Sequence, residues 1–487
     1  MSVYKNLFKQ TAIYGIATVV PRMFSFILTP LYTTPGVMNL DKYGEVSIIF
    51  SWLVFFNVIL AYGMETAFFR FYHSDDKKEV LSTSTISLFW SSLLFLAVGL
   101  VGRNFLANAA GIDAEYVTYT IWILVLDALV IIPFSRLRAE SKPVFYALVK
   151  IGNVALNLGL NVFFLVFLPK FAVSNPDSFI ATLFVRDFEV GYVFVANVIS
   201  SLATLVVLLP HYLRLSWHFN KKLWKSMMQY ALPVMIAGIA FAINETFDRI
   251  LLDWLLPEDI AKAEVGAYSA CYKLALFMTL FATAFRLGIE PFFFSHAKNK
   301  NAPQTYAAIT KYFVIFGSVI LLGVVVFADL LKLLIIRDTS FYGAMEVVPL
   351  IILANLCLGI YHNLSVWYKL SDKTKIGAYI SIVGAFVTLA LNFLLIPIWS
   401  YVGSAIATLA AYGSMMAISY YYGNKYYPIP YEAKKISFYL GLSILLSGIS
   451  FYVKILRYSY IFGIIALIAF VYIIYRNEKE TLQKFRQ

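Results

Sequence analysis

The sequence predicts an all-α integral membrane protein of about fourteen transmembrane helices, arranged as two pseudo-symmetric six-helix bundles followed by two C-terminal helices. Of its 487 residues, 61% are apolar and only 14% are charged, whereas soluble domains average about 45–50% and about 25%. The apolar residues form blocks of about 20, the length that crosses a hydrocarbon core of about 30 Å. A soluble fold could not bury this much apolar surface.

The predicted spans are joined mostly by short loops, so successive spans should be antiparallel neighbours. They cover residues 11–32, 45–68, 81–102, 116–136, 142–168, 189–209, 227–254, 266–294, 305–330, 345–368, 375–396, 401–423, 435–454 and 457–475, which we number spans 1 to 14.

Basic residues indicate the orientation of these spans. Most of the 39 lysines and arginines fall in alternate loops, on the side that also holds both chain ends. We call this the basic side. Cytoplasmic loops collect Lys and Arg, so we predict a multi-pass membrane protein with both termini cytoplasmic. The same bias explains the net charge of +12 without a nucleic-acid partner, because the basic residues are spread over many short loops.

Two segments recur along the chain and predict an internal repeat. Residues 62–69 (YGMETAFF) match residues 287–294 (LGIEPFFF), and residues 138–142 (RAESK) resemble residues 369–373 (KLSDK). Six spans separate the copies, so both halves should have the same orientation, as in transporters with parallel repeats. The predicted domains are an N-terminal bundle (1–210), an amphipathic cytoplasmic linker (211–226), a C-terminal bundle (227–423), and spans 13 and 14 with a cytoplasmic tail (424–487).

Charged residues inside the spans are the functional candidates. A charge at the centre of a bilayer helix costs about 2.5–3.5 kcal/mol on insertion scales, so such residues normally face a wet cavity or an ion-pair partner. Those that fall well inside the spans are Arg22, Asp127, Lys150, Glu245, Asp248, Arg249, Lys273 and Arg286.

Span 5 carries Lys150, Asn153 and Asn157 on one helical face, together with Asn161. This stripe suits the hydroxyl groups of a sugar, but amides that hydrogen-bond between helices would give the same pattern. In span 1, small and polar residues gather on the face of Arg22, which should look into a cavity.

Span 7 places Glu245 and Arg249 one turn apart, the spacing of an ion pair, next to Asp248. The group could neutralise itself or could serve, with Asp127, in ion coupling or gating. In span 8, Lys273 and Arg286 lie on different faces of an ideal helix, and we expect Lys273 to face the cavity.

The chain offers no phosphate-binding glycine loop, no metal-ligand spacing and no soluble segment large enough for an active site. We therefore predict no catalytic residue, no metal and no cofactor, and a protein that is not an enzyme. The set of charges inside the spans is mildly cationic, which suits a pyrophosphate group, since arginine grips phosphate oxygens with two bonds.

Several segments are similar to those of bacterial polysaccharide flippases. They are residues 266–274 (GAYSACYKL), 286–294 and 368–375 (YKLSDKTK), and the helix of Arg22. The chain resembles the Wzx-like branch of the multidrug/oligosaccharidyl-lipid/polysaccharide exporter superfamily over essentially its whole length. The resemblance implies two bundles in a V shape and alternating access. The implied substrate is an undecaprenyl-pyrophosphate-linked oligosaccharide of O-antigen, capsule or exopolysaccharide.

Under this interpretation Arg22 and Lys273, with Arg249, bind the pyrophosphate, and Lys150, Asn153 and Asn157 complete the cavity that receives the sugars. Membrane lipids surround the prenyl chain, and a polysaccharide polymerase and glycosyltransferases are the expected partner enzymes. Proton or sodium coupling stays open. The alternatives are a lipid II flippase, a drug or metabolite antiporter, and a membrane glycosyltransferase or polymerase.

Overall fold

The computed structural model describes residues 20, 23, 26–297, 299, 301–371 and 373–484. These residues form helices and no strands. They divide into two compact units, Met1–Gly266 (unit 1) and Ala267–Gln487 (unit 2). The domain boundaries drawn from the repeat, at residues 211–226, stay a prediction.

In unit 1, a helical stretch at residues 26–32 precedes ten α-helices. A π-helical turn, Phe163–Phe167, joins α7 to α8, and a 3₁₀ turn, Phe179–Leu183, precedes α9. The helices are α1 (Leu40–Ala61), α2 (Met64–Tyr72), α3 (Lys77–Val101), α4 (Arg103–Ala110), α5 (Ala114–Leu129), α6 (Ile131–Ala139), α7 (Pro143–Val162), α8 (Leu168–Ser174), α9 (Glu189–Leu213) and α10 (Lys221–Leu255).

The next helix, α11, crosses the boundary between the units. Two 3₁₀ segments, Lys273–Ala275 and Thr339–Val347, interrupt the helices that follow. These helices are α11 (Glu258–Tyr272), α12 (Leu276–His296), α13 (Ala302–Val326), α14 (Ala328–Ile335), α15 (Val348–Leu364), α16 (Val366–Leu370), α17 (Thr374–Tyr426), α18 (Ala433–Tyr452), α19 (Lys454–Ser459) and α20 (Ile461–Lys484).

The described residues contain 12 helices long and apolar enough to cross a membrane. One of them, α17, holds both predicted spans 11 and 12. Its backbone leaves the helical region at Ser400 (φ 46°, ψ −133°), and the chain then reverses direction. The reversal brings Gly403 so close to Leu395 that a Cβ on Gly403 would lie 2.4 Å from the Leu395 carbonyl oxygen. Most of predicted span 1 lies outside the described residues. The predicted fold class, an all-α membrane protein of about fourteen helices, is confirmed.

Predicted span 2 is two helices, because the chain bends between α1 and α2. Tyr62 and Gly63 both adopt positive φ, 33° and 71°, a conformation that glycine adopts without strain. The bend lets α2 pack on α3 and α10 around buried Met64, Phe68 and Met227. This packing directs the start of α2 toward the site described below.

The linker between α9 and α10 is anchored to the start of α3. Residues 215–220 are not helical, so this stretch forms no separate interfacial helix. The hydroxyl of Ser82 donates to the backbone carbonyl of Ser216, and the Asn220 side chain donates to Glu79 at 3.2 Å. Asn220 also caps α10 by accepting from the backbone N–H of Leu223. The linker is therefore tied to unit 1 by polar contacts.

Candidate functional site

A polar cavity of about 500 Å³ lies inside unit 1, among α1, α2, α5, α6, α7 and α9. Its wall combines charged, amide and hydroxyl groups with apolar side chains, an arrangement that can bind a polar ligand inside an otherwise apolar bundle. The lining residues are Asn57, Val58, Ala61, Glu65, Asp127, Val130, Ile131, Phe134, Arg138, Tyr146, Lys150, Asn153, Asn197, Ser201 and Thr204.

Asp127 and Lys150 bring opposite charges into this cavity. The hydroxyl of Ser201 donates to Asp127 Oδ1 at 2.8 Å. The Lys150 ammonium lies 4.3 Å from the centroid of the Phe134 ring, where the ring quadrupole attracts a cation. Within the described part of the chain, the Lys150 ammonium makes no hydrogen bond or ion pair. Its three N–H donors are therefore available to a ligand.

The amide stripe of span 5 serves partly in hydrogen bonds between helices. Asn153 Nδ2 donates to Thr204 Oγ1 of α9 at 2.9 Å and also lines the cavity. Farther along α7, Tyr32 donates to Asn161 Oδ1 at 2.9 Å, and Asn161 donates to Asn157 Oδ1 at 3.1 Å. Asn153 is thus placed to meet a ligand, whereas Asn157 and Asn161 bind each other and Tyr32.

Arg138 and Glu65 line the cavity, although neither was among the predicted site residues. Arg138 Nη1 donates to Glu65 Oε1 at 2.6 Å, and its guanidinium lies 4.6 Å from the centroid of Phe69. Both residues belong to the recurring segments of the repeat, and this recurrence is the sequence pattern that could have indicated them. The sequence does not indicate them because Glu65 lies at the end of span 2 and Arg138 in the loop after span 4, where charge is ordinary.

The charges predicted in span 7 lie on α10 of unit 1, and none of them lines this cavity. Arg249 Nη1 donates to the adjacent Asp248 Oδ1 at 2.9 Å. Asp248 is buried and Glu245 is exposed. The cluster therefore contains an ion pair between the neighbouring residues Asp248 and Arg249.

Lys273 and Arg286 belong to unit 2. Lys273 opens the 3₁₀ segment between α11 and α12, and such a segment within a long helix often marks a hinge. Arg286 Nη1 lies 3.5 Å from His362 Nε2. Arg22, the residue predicted to be central, lies outside the described residues. The structure thus brings Asp127, Lys150 and Asn153 into one cavity.

Residues 7–285 match the family model described as polysaccharide biosynthesis protein. No curated protein matches the sequence. The lipid II flippase MurJ, in an inward closed conformation, has a similar fold, with a TM-score of 0.71 at 14% identity over 96% of this chain and 99% of that chain. An inward-facing multidrug resistance MATE family transporter of the MOP superfamily has a TM-score of 0.64 at 13% identity, over 90% and 96%. A MOP superfamily transporter from Pyrococcus furiosus has a TM-score of 0.56 at 12% identity, over 86% and 95%.

Proposed function

Because this chain belongs to the polysaccharide biosynthesis protein family, we propose that it is a flippase for undecaprenyl-pyrophosphate-linked oligosaccharides. The resemblance predicted from the sequence is confirmed for the family, and the fold is that of MOP superfamily transporters. In the proposed cycle the protein takes its substrate from the cytoplasmic leaflet of the bacterial inner membrane and releases it at the outer leaflet by alternating access. The basic side of the spans faces the cytoplasm, and no covalent bond of the substrate changes.

The observation that carries this proposal is the Lys150 ammonium in the polar cavity of unit 1. It is half-buried, it lies inside a membrane bundle, and an aromatic ring holds it. An anionic group is the natural ligand for such a cation. The amide of Asn153 and its hydroxyl neighbours can meet sugar hydroxyls, while the prenyl chain stays among the membrane lipids.

The other residues predicted from the sequence are also proposed to contact the substrate. Arg22, Lys273 and Arg249 are proposed to contact the pyrophosphate during the cycle, and Asn157 to support the sugar site. A polysaccharide polymerase and glycosyltransferases are the proposed partners, because they would consume and supply the lipid-linked oligosaccharide.

Coupling to a proton or sodium gradient is a further part of the proposal. Asp127 is a carboxylate that lines the cavity and accepts a hydrogen bond from Ser201, so a proton or Na⁺ could bind there. Glu245 and Asp248 on α10 are proposed as a second coupling or gating group. Transport in liposomes that continued at the same rate after each gradient was collapsed would contradict coupling.

The test of the function is transport in liposomes that contain the purified full chain. A labelled undecaprenyl-pyrophosphate oligosaccharide is added to one leaflet, and its appearance in the other leaflet is followed with a membrane-impermeant enzyme. We expect Lys150→Met to lower the initial rate about tenfold or more, because a charged hydrogen bond is lost. The matched control is Lys170→Met at an exposed position of α8, which should leave the rate unchanged.

Proteins with a similar fold transport lipid II or drugs, and the liposome assay can distinguish these two functions from oligosaccharide transport. Lipid II and a cationic drug are offered in parallel with the oligosaccharide. Faster movement of lipid II would assign the chain to lipid II transport, and gradient-driven drug movement alone would assign it to drug antiport. A Lys150→Met protein that transported the oligosaccharide as fast as wild type would contradict the role of this cavity.

A further inference from the structure

The two recurring segments of the repeat meet each other in both units. In unit 1, the first segment supplies Glu65 and the second supplies Arg138, whose side chains form an ion pair with an N–O distance of 2.6 Å. In unit 2, the matching positions are Glu290 and Lys369, and their N–O distance is 2.5 Å. Each unit therefore has a carboxylate and a cation, at matching positions of the repeat, that contact one another.

Both pairs can open at small cost. The exposed fractions of the side chains are 47% for Glu65 and 41% for Arg138. They are 35% for Glu290 and 32% for Lys369. A pair with this exposure typically shifts an equilibrium by about fivefold or less, because water competes for both charges. Another anion can therefore displace the carboxylate of either pair.

The cations of the two pairs differ in what they can bind. Arg138 presents a planar fork of N–H donors that matches two oxygens of a phosphate, whereas the ammonium of Lys369 is a point charge. The Phe69 ring, 4.6 Å from the Arg138 guanidinium, restricts the position of the guanidinium. Arg138 also lines the same cavity as Lys150, whose donors are available.

We propose that Arg138 and Lys150 form a phosphate-binding subsite, and that Glu65 occupies the Arg138 guanidinium until a phosphate group displaces it. The ligand class is a phosphate or pyrophosphate ester, whose oxygens can accept from the guanidinium fork and from the ammonium together. The inference rests on the proposed function, since it names the group that first receives the head of the lipid-linked substrate. The Glu290–Lys369 pair lacks the guanidinium fork and is not part of the proposed subsite.

Binding of inorganic pyrophosphate to the purified full chain in detergent, followed by isothermal titration, tests this subsite. Arg138→Ala should weaken binding about tenfold or more, because charged hydrogen bonds are lost. Arg138→Lys keeps the positive charge but loses the planar guanidinium, so its affinity for pyrophosphate should lie between those of Arg138→Ala and wild type. Glu65→Gln removes the internal competitor and should tighten binding about two- to fivefold.

Unit 2 supplies the matched controls. Glu290→Gln and Lys369→Ala alter the equivalent pair, and both should bind pyrophosphate within twofold of wild type. Thermal unfolding of each variant identifies proteins that fail to fold. The subsite is refuted if Lys369→Ala weakens binding as much as Arg138→Ala, or if a folded Glu65→Gln protein binds no tighter than wild type.

Competition identifies the source of the phosphate. Farnesyl pyrophosphate should displace inorganic pyrophosphate from wild type, and phosphatidylglycerol vesicles should not. The reverse result would assign the subsite to bulk anionic lipid and overturn its substrate role. If the variants behave as expected but the liposomes move no oligosaccharide, the flippase function fails and the subsite stands. If the oligosaccharide moves but the variants leave pyrophosphate binding unchanged, the subsite fails and the function stands.

Discussion

Each unit has a lysine inside a predicted span, Lys150 in unit 1 and Lys311 in unit 2, and the two ammonium groups have different surroundings. In unit 1, the Lys150 ammonium lies over an aromatic ring in a polar cavity. In unit 2, the Lys311 ammonium of α13 is 3% exposed and contacts two carboxylates, Glu432 at 2.7 Å and Glu478 at 3.0 Å. The Lys150 ammonium has N–H donors available to a ligand, whereas the Lys311 ammonium uses its donors in ion pairs within the protein.

This contrast separates a binding charge from a structural charge. Glu478 lies on α20 and is 1% exposed, so its contact with Lys311 joins α20 to α13. A second ion pair joins α19 to α14, where Arg457 donates to Asp329 at 2.9 Å. The C-terminal part of the chain is thus tied to α13 through Lys311 and to α14 through Asp329.

The largest effect should come from Lys311→Met. The substitution leaves Glu478 buried with the hydroxyl of Tyr439 at 3.3 Å and with Lys435 at 3.8 Å. Breaking a buried pair by removing one partner typically costs about 3–5 kcal/mol. We expect a corresponding fall in the free energy of unfolding, measured by thermal or denaturant unfolding in detergent.

Two further variants sharpen this prediction. Lys311→Met combined with Glu478→Gln removes both buried charges and should recover most of the lost stability. Lys435→Ala removes a half-exposed lysine that also contacts Glu432, at 2.8 Å, and should cost less than about 1 kcal/mol. Equal losses for Lys311→Met and Lys435→Ala would show that the buried lysine is not structural.

The next largest effect should distinguish the matched glycines of the repeat, Gly63 and Gly288. Gly63 has a φ of 71°, and a Cβ there would lie 2.3 Å from the carbonyl oxygen of Ala231. Gly288 lies within α12, and its Cβ position has no atom within 4 Å. The same sequence motif therefore forms a bend in unit 1 and an uninterrupted helix in unit 2.

We expect Gly63→Ala to destabilise the protein by about 2 kcal/mol or more, because left-handed strain adds to a backbone clash. Gly288→Ala should be neutral or stabilising by up to about 1 kcal/mol, because alanine favours helix. Unfolding of the two variants under identical conditions measures both. Equal destabilisation would mean that the bend belongs to both units.

The sequence was sufficient for the fold class because hydropathy and loop charge directly reflect the membrane. It also indicated Asp127 and Lys150 as charges inside predicted spans, and Asn153 because it shares a helical face with Lys150. It could not reveal Lys311, because Glu478 lies 167 residues later and no local pattern joins them. Arg138 was missed because it lies in a predicted loop, where charge is ordinary, and its place in the cavity depends on several helices.

The bend at Gly63 shows another limit of sequence reasoning. The repeat predicts related positions, but the matched glycines Gly63 and Gly288 adopt different backbones. The close approach of α10 to the start of α2 decides the conformation, and that packing is not encoded in the motif. Repeats therefore predict which residues correspond and leave local geometry to the packing of each unit.

The smallest effect is a pH dependence at Glu432, which lies outside the membrane spans. Hydrogen bonds from Lys311 and then Lys435 outweigh the effect of burial and hold the pKa of the Glu432 carboxyl below its ordinary range. The depressed pKa stabilises the fold at any pH above the ordinary carboxyl pKa of about 4.3. This contribution is lost as the pH falls through the lowered pKa of the folded protein.

Because the Glu432 side chain is 42% exposed, solvent screening should keep the contribution below about 1 kcal/mol. Glu432→Gln should therefore unfold at a slightly lower temperature than wild type at pH 7, and the two curves should converge near pH 3. Unfolding temperatures across this range provide the measurement. A constant gap between the curves would mean that titration of Glu432 does not stabilise the cluster, and that the buried pair of Lys311 with Glu478 holds α13 and α20 together without it.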